Sequence, residues 1–376
     1  MKKTKVHLIC GPHPLFKELI NYPPKNVQYQ VSLIPNTTYN NLFSRYVKRV
    51  ITKAQGIAQI PRMMHSGVDS DLIHSTRGIL MTNKKPWVVD IEMASSFTGL
   101  NWNALKKPIT KMIISKYLSS NSCKKILPYS YAAKKNLEDW VDCRKFQDKI
   151  EVVHPAYHSI KVKRKPSDKV TISFVCRTSP IDLDFYTKGG HDLLKAFQIL
   201  NKKYDNLHLK IKGSIPKHLQ KNLKNVTFIE DNLPREKFYE EFLFKPDIYV
   251  QPTLVDTFAI AVIEAMSTGL PVVATNMFAM SEIIKEGHNG FLINSKMHWD
   301  EYVKFDPQYK QFHIDASKYH PEIIKDLVKK LSILIEDPKL RKKMGQNSFK
   351  MVDSGKFSIS ERNKKLRKIY DGALEN

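Results

Sequence analysis

The stretch at 249–293, YVQPTLVDTFAIAVIEAMSTGLPVVATNMFAMSEIIKEGHNGFLI, constrains the fold more than any other part of this 376-residue chain. It reads as strand, turn, helix, strand, helix, strand. Residues 248–251 are a short apolar strand ended by Pro252. Asp256 and Thr257 stand where an N-cap belongs. Residues 258–266 are apolar on nearly every side except at Glu264, and Gly269 with Pro271 stops the helix. Residues 271–275 form the next buried strand. A helix apolar all round is buried, and a carboxylate on it is costly unless something pairs with it.

Glu264 lies eight residues after Asp256, about two helical turns or roughly 12 Å along the axis. Between the two acids the helix N-terminus offers unpaired N–H groups and a positive dipole, a place for a phosphate. Acid, anion site and acid in that order suit a nucleotide-sugar: sugar hydroxyls at one end, diphosphate in the middle, ribose hydroxyls at the other. The competing reading makes Asp256 an N-cap and Glu264 a buried ion-pair partner. From the two acids alone both readings stand.

The run DTFAIAVIEAMSTGLPVVAT resembles the signature of the retaining glycosyltransferases of family 4: an acid, seven residues, then Glu, inside E-G-F-G-x-x-x-x-E-A-M-A-x-G-x-P-V-V-A. The chain matches it at Asp256, Phe258, Glu264, Ala265, Met266, Gly269, Pro271, Val272, Val273 and Ala274. The resemblance implies the GT-B fold, α/β, with two Rossmann-like doubly wound domains facing across a cleft and a C-terminal helix crossing back to the first. It places an acceptor-side domain at 1–160, joined by 357–376, and a nucleotide-sugar-binding domain at 166–356. Independently, short buried strands alternating with helices call for α/β architecture.

The resemblance also assigns residues. TISFVCR followed by YTKGGHDLLKAF resembles the family's G-R-L…K-G element, so Arg177 and Lys188 would grip the donor diphosphate, with the backbone at Thr257, Phe258 and Ala259. Two cations there would neutralise the charge developing on a departing nucleoside diphosphate. Asp256 would meet the transferred sugar and Glu264 the ribose. Gly213, at the end of the strand 207–213, and Glu230, after the strand 226–229, would approach the nucleotide. On the acceptor side the candidates are Gly11, Glu92, Ser95 and Ser96, the last two in a polar loop facing the cleft. Glu92 stands where the family often has His. Thr257 and Ala259, and again Phe278 and Ala279, stand where it has Gly, which points to altered donor or acceptor preference. His74, in DLIHS, and His154 read as structural. No side chain stands out as a covalent nucleophile, in keeping with the family's front-face route, in which the leaving phosphate deprotonates the acceptor. The donor is expected to be UDP- or GDP-linked, with no cofactor and no metal.

Charge narrows the partners. The net charge is +24. Residues 1–165 carry 28 Lys+Arg against 10 Asp+Glu, or +18, and residues 166–376 carry 33 against 27, or +6. The first half therefore suits an anionic partner such as a membrane surface or a lipid-linked or glycan acceptor; a solubilising lysine-rich surface is the alternative, and no nucleic acid is expected. Residues 42–60 and 105–118 read as basic amphipathic helices, which lie on an anionic bilayer or pack on a sheet with a wet outer face. No apolar run reaches the ~18 residues of a membrane span. The four cysteines have no metal-ligand spacing and read as reduced thiols of a cytoplasmic protein, peripheral on the inner face of the membrane if the basic half docks there. Residues 149–155 are expected as the first domain's last strand, 158–168 as the interdomain linker and 295–321 as an insertion. The rivals are another GT-B enzyme, an epimerase or phosphorylase, and a non-catalytic basic protein that binds membrane or nucleic acid on the same fold.

Overall fold

Two parallel sheets organise the chain, each in its own compact unit. The computed structural model describes residues 3–34, 60–164, 167–177, 183–221, 223–229, 233–295 and 318–375. Glu230, most of the 42–60 segment and most of the 295–321 stretch lie outside the described residues. The first unit takes in Met1–Ala156 and Ile359–Asn376; the second takes in the described residues from Tyr157 to Ser358.

The first sheet contains β1 (Thr4–Cys10), β2 (Val27–Leu33), β3 (Leu72–Ser75), β4 (Trp87–Ile91) and β5 (Cys123–Pro128), in the order β2-β1-β3-β4-β5. β3 and β4 are buried along their whole length, as parallel strands covered on both faces must be. The helix Tyr131–Trp140 is opened by Ser130, whose hydroxyl accepts from Ala133 N–H at 2.9 Å. The last helix, Ile359–Glu375, belongs to this unit. Its buried Tyr370 hydroxyl meets His74 Nδ1 at 2.7 Å and the Tyr29 hydroxyl at 2.9 Å, so His74 anchors a helix to the sheet.

Residues 149–155 do not form a sixth strand. They run beside β5 with an isolated bridge between Ile126 and Ile150 and two N–H bonds back to the strand. Pro128, which has no N–H to donate, ends the ladder there. The serine-rich loop after β4 also differs from expectation. It folds into a 3₁₀ turn, Ala94–Thr98, with Ser95 and Ser96 buried.

The second sheet contains β6 (Val170–Val175), β7 (Leu207–Lys212), β8 (Val226–Ile229), β9 (Ile248–Gln251), β10 (Val272–Thr275) and β11 (Gly290–Ile293), in the order β8-β7-β6-β9-β10-β11. Its core gathers Phe174, Leu209, Ile211 and Val250 from strands with Leu193, Phe197 and Leu200 from the helix Gly190–Lys203, and Leu327, Leu331 and Leu334 from the helix Pro321–Glu336. The segment expected to be a linker is instead pinned to this unit. Ile160 N–H bonds to Ser267 O at 2.9 Å. The Arg164 guanidinium donates to Thr268 O, Leu243 O and Pro246 O at 2.8, 2.8 and 3.0 Å. Burial lowers its pKa to about 10. Among the described residues no helix is long and apolar enough to cross a membrane, and the four cysteines are buried and unpaired with one another.

Candidate functional site

In open parallel sheets ligands collect at the carboxyl ends of the strands where the strand order reverses. In the second sheet that point lies between β6 and β9. β6 runs into Cys176 and Arg177, and β9 runs into 252–256. The loop 187–190 packs on the second of these ends. Thr187 O accepts from Leu254 N–H at 2.8 Å and from Val255 N–H at 3.2 Å. Gly189 has φ 76°, and a Cβ there would stand 1.9 Å from Pro252 O. Only glycine lets the two loops approach this closely.

That approach sets Lys188 on Asp256. Lys188 Nζ lies 2.6 Å from Asp256 Oδ2 and 2.9 Å from Val255 O. Asp256 Oδ1 accepts from the N–H groups of Thr257 at 2.8 Å and Ala259 at 2.9 Å. Burial pushes the Asp256 carboxyl upward, but the Lys188 charge, its hydrogen bond and the two N–H groups outweigh it and hold the pKa below the usual carboxylate value.

The helix begins two residues later than its apolar run suggests, at Ile260–Ser267, with Ala259 as N-cap in the left-handed region, φ 46° and ψ 62°. The N–H groups of Thr257 and Ala259, expected to face a diphosphate, are therefore taken by Asp256. The unpaired donors at this helix mouth, among the described residues, are those of Ile260 and Ala261. Phe278 also has φ 46°. Ala259 and Phe278 are thus two non-glycine residues at positive φ where the resembled pattern has glycine.

Glu264, on the same helix, is 6% exposed. Its Oε1 accepts from the hydroxyls of Tyr157 at 2.6 Å and Tyr239 at 2.9 Å and pairs with Arg235 Nη2. Arg235 also donates to the Tyr157 hydroxyl at 2.6 Å and lies over the Tyr239 ring. Burial, then the Glu264 charge, drives both tyrosine hydroxyls far above their ordinary pKa, so they stay protonated donors. These three partners escaped the sequence reading. A buried carboxylate demanded a partner, but no spacing rule points to Tyr157, 107 residues away, or to Arg235.

The remaining candidates are placed as follows. Arg177 is exposed and has no side-chain hydrogen bond among the described residues. Gly213, at the end of β7, has φ 138°, and a Cβ there would stand 2.2 Å from Cys176 Sγ. The Phe258 ring packs edge-on against Phe357. In the first unit, Gly11 follows β1 and Glu92 follows β4, half-buried. Among the described residues no group of three or more His, Cys, Asp or Glu side chains is set to hold a metal ion.

Two parallel sheets in these orders, with closing helices at the C-terminus, are the GT-B glycosyltransferase architecture. The Anabaena protein Alr3699/HepE, solved in complex with UDP and glucose, superposes with a TM-score of 0.61 over 98% of this chain and 99% of its own, at 14% identity, a likeness of fold. Residues 159–304 match the family of Glycosyl transferases group 1. An uncharacterized glycosyltransferase of Haemophilus influenzae is 29% identical over 242 residues, 62% of this chain, and the chain spans 58% of that relative's length. The capsular polysaccharide biosynthesis glycosyltransferase CapM of Staphylococcus aureus is 22% identical over 81% of this chain and 70% of its own length.

Proposed function

We propose that the protein is a retaining family 4 glycosyltransferase that moves a sugar from a UDP- or GDP-linked donor to an acceptor hydroxyl in the making of a cell-surface polysaccharide, glycolipid or glycoprotein glycan. The observation that carries this reading is the Lys188–Asp256 contact at the reversal between β6 and β9. Arg177 on the adjoining strand end and the unpaired N–H groups of Ile260 and Ala261 complete a cationic setting for a diphosphate. Glu264, oriented by Tyr157, Tyr239 and Arg235, takes the ribose hydroxyls, and Asp256 the transferred sugar. In the transfer the bond from C1 to the phosphate oxygen breaks and the bond from C1 to the acceptor oxygen forms on the same face. The acceptor proton passes to the leaving phosphate. Arg177 and Lys188 neutralise the charge left on the diphosphate, so this route calls on no metal. The likeness to CapM, a capsular polysaccharide biosynthesis glycosyltransferase, supports the polysaccharide setting.

A thermal-shift panel of nucleotide-sugars tests the donor, since a true donor stabilises the fold by mass action. Released nucleoside diphosphate then reports transfer. Glu264→Gln and Arg177→Ala should each lower transfer by about a hundredfold, on the scale of losing one positioned electrostatic donor; unchanged transfer in both variants would end the assignment.

We also infer that the first unit meets an anionic membrane through the helix Pro108–Leu118. Ile109 and Met112 on it are 53% and 61% exposed, one turn apart, and Lys106, Lys107 and Lys116 are exposed around them. Apolar side chains ringed by lysines suit the headgroup boundary of an anionic bilayer. Vesicle flotation should recover the protein with anionic but not neutral lipid, and the double change Ile109→Ser, Met112→Ser should abolish recovery.

A further inference from the structure

The first sheet has its own point of reversal, between β1 and β3, and two arginines stand there. β1 runs into Gly11 and β3 into Thr76 and Arg77. Arg77 has a left-handed backbone, φ 57°, fixed by its N–H bond to Asp90 Oδ1 at 2.9 Å. Its guanidinium reaches back over Gly11, where an added Cβ would stand 3.3 Å from Arg77 Nη1. Arg62 joins it: Nη1 donates to Arg77 O at 3.2 Å, and the Arg62 stem lies along Gly99, 3.2 Å from where a Cβ would be.

The local acids do not neutralise this pair by direct contact. Asp90 Oδ1 is occupied by Arg77 N–H and by the Tyr129 hydroxyl at 2.9 Å, and Oδ2 faces His74 Nε2 at 3.5 Å. Glu92 acts on Arg62 through space: burial and the Arg77 charge lower the Arg62 pKa, and Glu92 opposes them. Neither guanidinium forms an ion pair with a described residue. Two like charges brought together half-buried are costly without an anion.

We propose that Arg62 and Arg77, at the β1/β3 reversal, form a binding site for a phosphate or carboxylate group. Guanidinium groups grip such oxyanions through paired N–H donors, and Gly11, with no side chain, leaves room for the Arg77 guanidinium to lie over the end of β1. Resting on the proposed function, the group belongs to the acceptor, which is then an anionic sugar or lipid: a sugar phosphate, a phosphodiester or a uronic acid.

The test titrates the full chain with inorganic phosphate and, separately, with glucuronate, both at constant ionic strength in chloride, by calorimetry. Wild type should show saturable binding of at least one of the two, and the one bound names the class of oxyanion. Arg62→Gln and Arg77→Gln should each weaken it at least tenfold, Arg77→Lys should weaken it less, and Lys342→Gln, at an exposed lysine outside both sites, should leave it unchanged. Circular dichroism checks the fold of each variant, and Arg77→Lys keeps the test open if Arg77→Gln does not fold. Saturable binding of neither anion, binding kept in both arginine-to-glutamine variants, or binding weakened as much by Lys342→Gln as by the arginine changes, overturns the proposal. Parallel UDP and GDP titrations separate the two readings. Binding of at least one nucleotide should survive both arginine changes, and the absence of both in wild type would defeat the donor assignment while leaving the arginine site standing.

Discussion

Removing Lys188 tests whether the Lys188–Asp256 charge pair is a working part of the fold. The side chains of Lys188 and Asp256 are 26% and 18% exposed. Breaking a fully buried pair costs roughly 3–5 kcal/mol, whereas an exposed pair contributes roughly 0.2–1 kcal/mol. Partial exposure and the two N–H groups that remain on Oδ1 put the expected coupling near 2 kcal/mol, on the scale of those two limits. The measurement is a double-mutant cycle of Lys188→Met and Asp256→Asn, followed by far-UV circular dichroism in urea, because the described tryptophans, Trp87, Trp102 and Trp140, all belong to the first unit. The pH dependence has a definite sign. The folded pKa of Asp256 is depressed, so its contribution is fully present above the unfolded value of about 3.9 and is lost as pH falls through the lower folded value. The coupling should therefore be about 2 kcal/mol at pH 7 and fade toward zero in acid below about pH 3.9. A coupling under about 0.5 kcal/mol at pH 7, the level of an exposed pair, refutes the reasoning.

Four further outcomes follow from the geometry. Ala259→Gly should stabilise the protein by about 0.5–1 kcal/mol, the relief of a left-handed alanine less the greater freedom of glycine when unfolded, whereas Gly189→Ala should cost more than about 3 kcal/mol because its Cβ collides with Pro252 O; calorimetric midpoints check both. Arg164→Ala strips three backbone carbonyls of their donor and should cost about 3 kcal/mol in urea unfolding. Tyr157→Phe leaves Glu264 with Arg235 and Tyr239 and should cost about 1–2 kcal/mol by the same measurement.

Strand positions were the most legible feature. The runs at 226–229 and 248–251 are β8 and β9 to the residue, because short strands bounded by polar or proline residues leave little freedom in where they begin and end. The start of the key helix was harder to read, since an apolar run marks what is buried and not where the backbone turns. The left-handed step at Ala259 delays the helix to Ile260 and hands two expected phosphate donors to Asp256. At 149–155 the hydrophobic pattern was that of a strand, but hydrogen bonding with β5 stops at a proline. The partners of Glu264 were hidden for a different reason. Tyr157 and Arg235 meet it through tertiary packing, and chain separation carries no trace of that.

The division of labour on the Asp256 carboxylate bears on how a donor would engage it. Oδ1 is held by two backbone N–H groups, which cannot leave without unfolding the turn, while Oδ2 is held by the end of a lysine side chain. An arriving diphosphate competes for the lysine and not for the backbone. If Lys188 turns to the phosphate, Asp256 keeps its orientation and its charge, and the oxygen set free is Oδ2, which can then accept from a sugar hydroxyl. Glu264 is arranged otherwise: two tyrosines and Arg235 converge on one oxygen, so no single exchange releases it. On this reading Asp256 is the acid whose partner changes when donor binds and Glu264 is a fixed post. Loss of Lys188 should then weaken binding of the diphosphate far more than it disturbs the aim of either carboxylate.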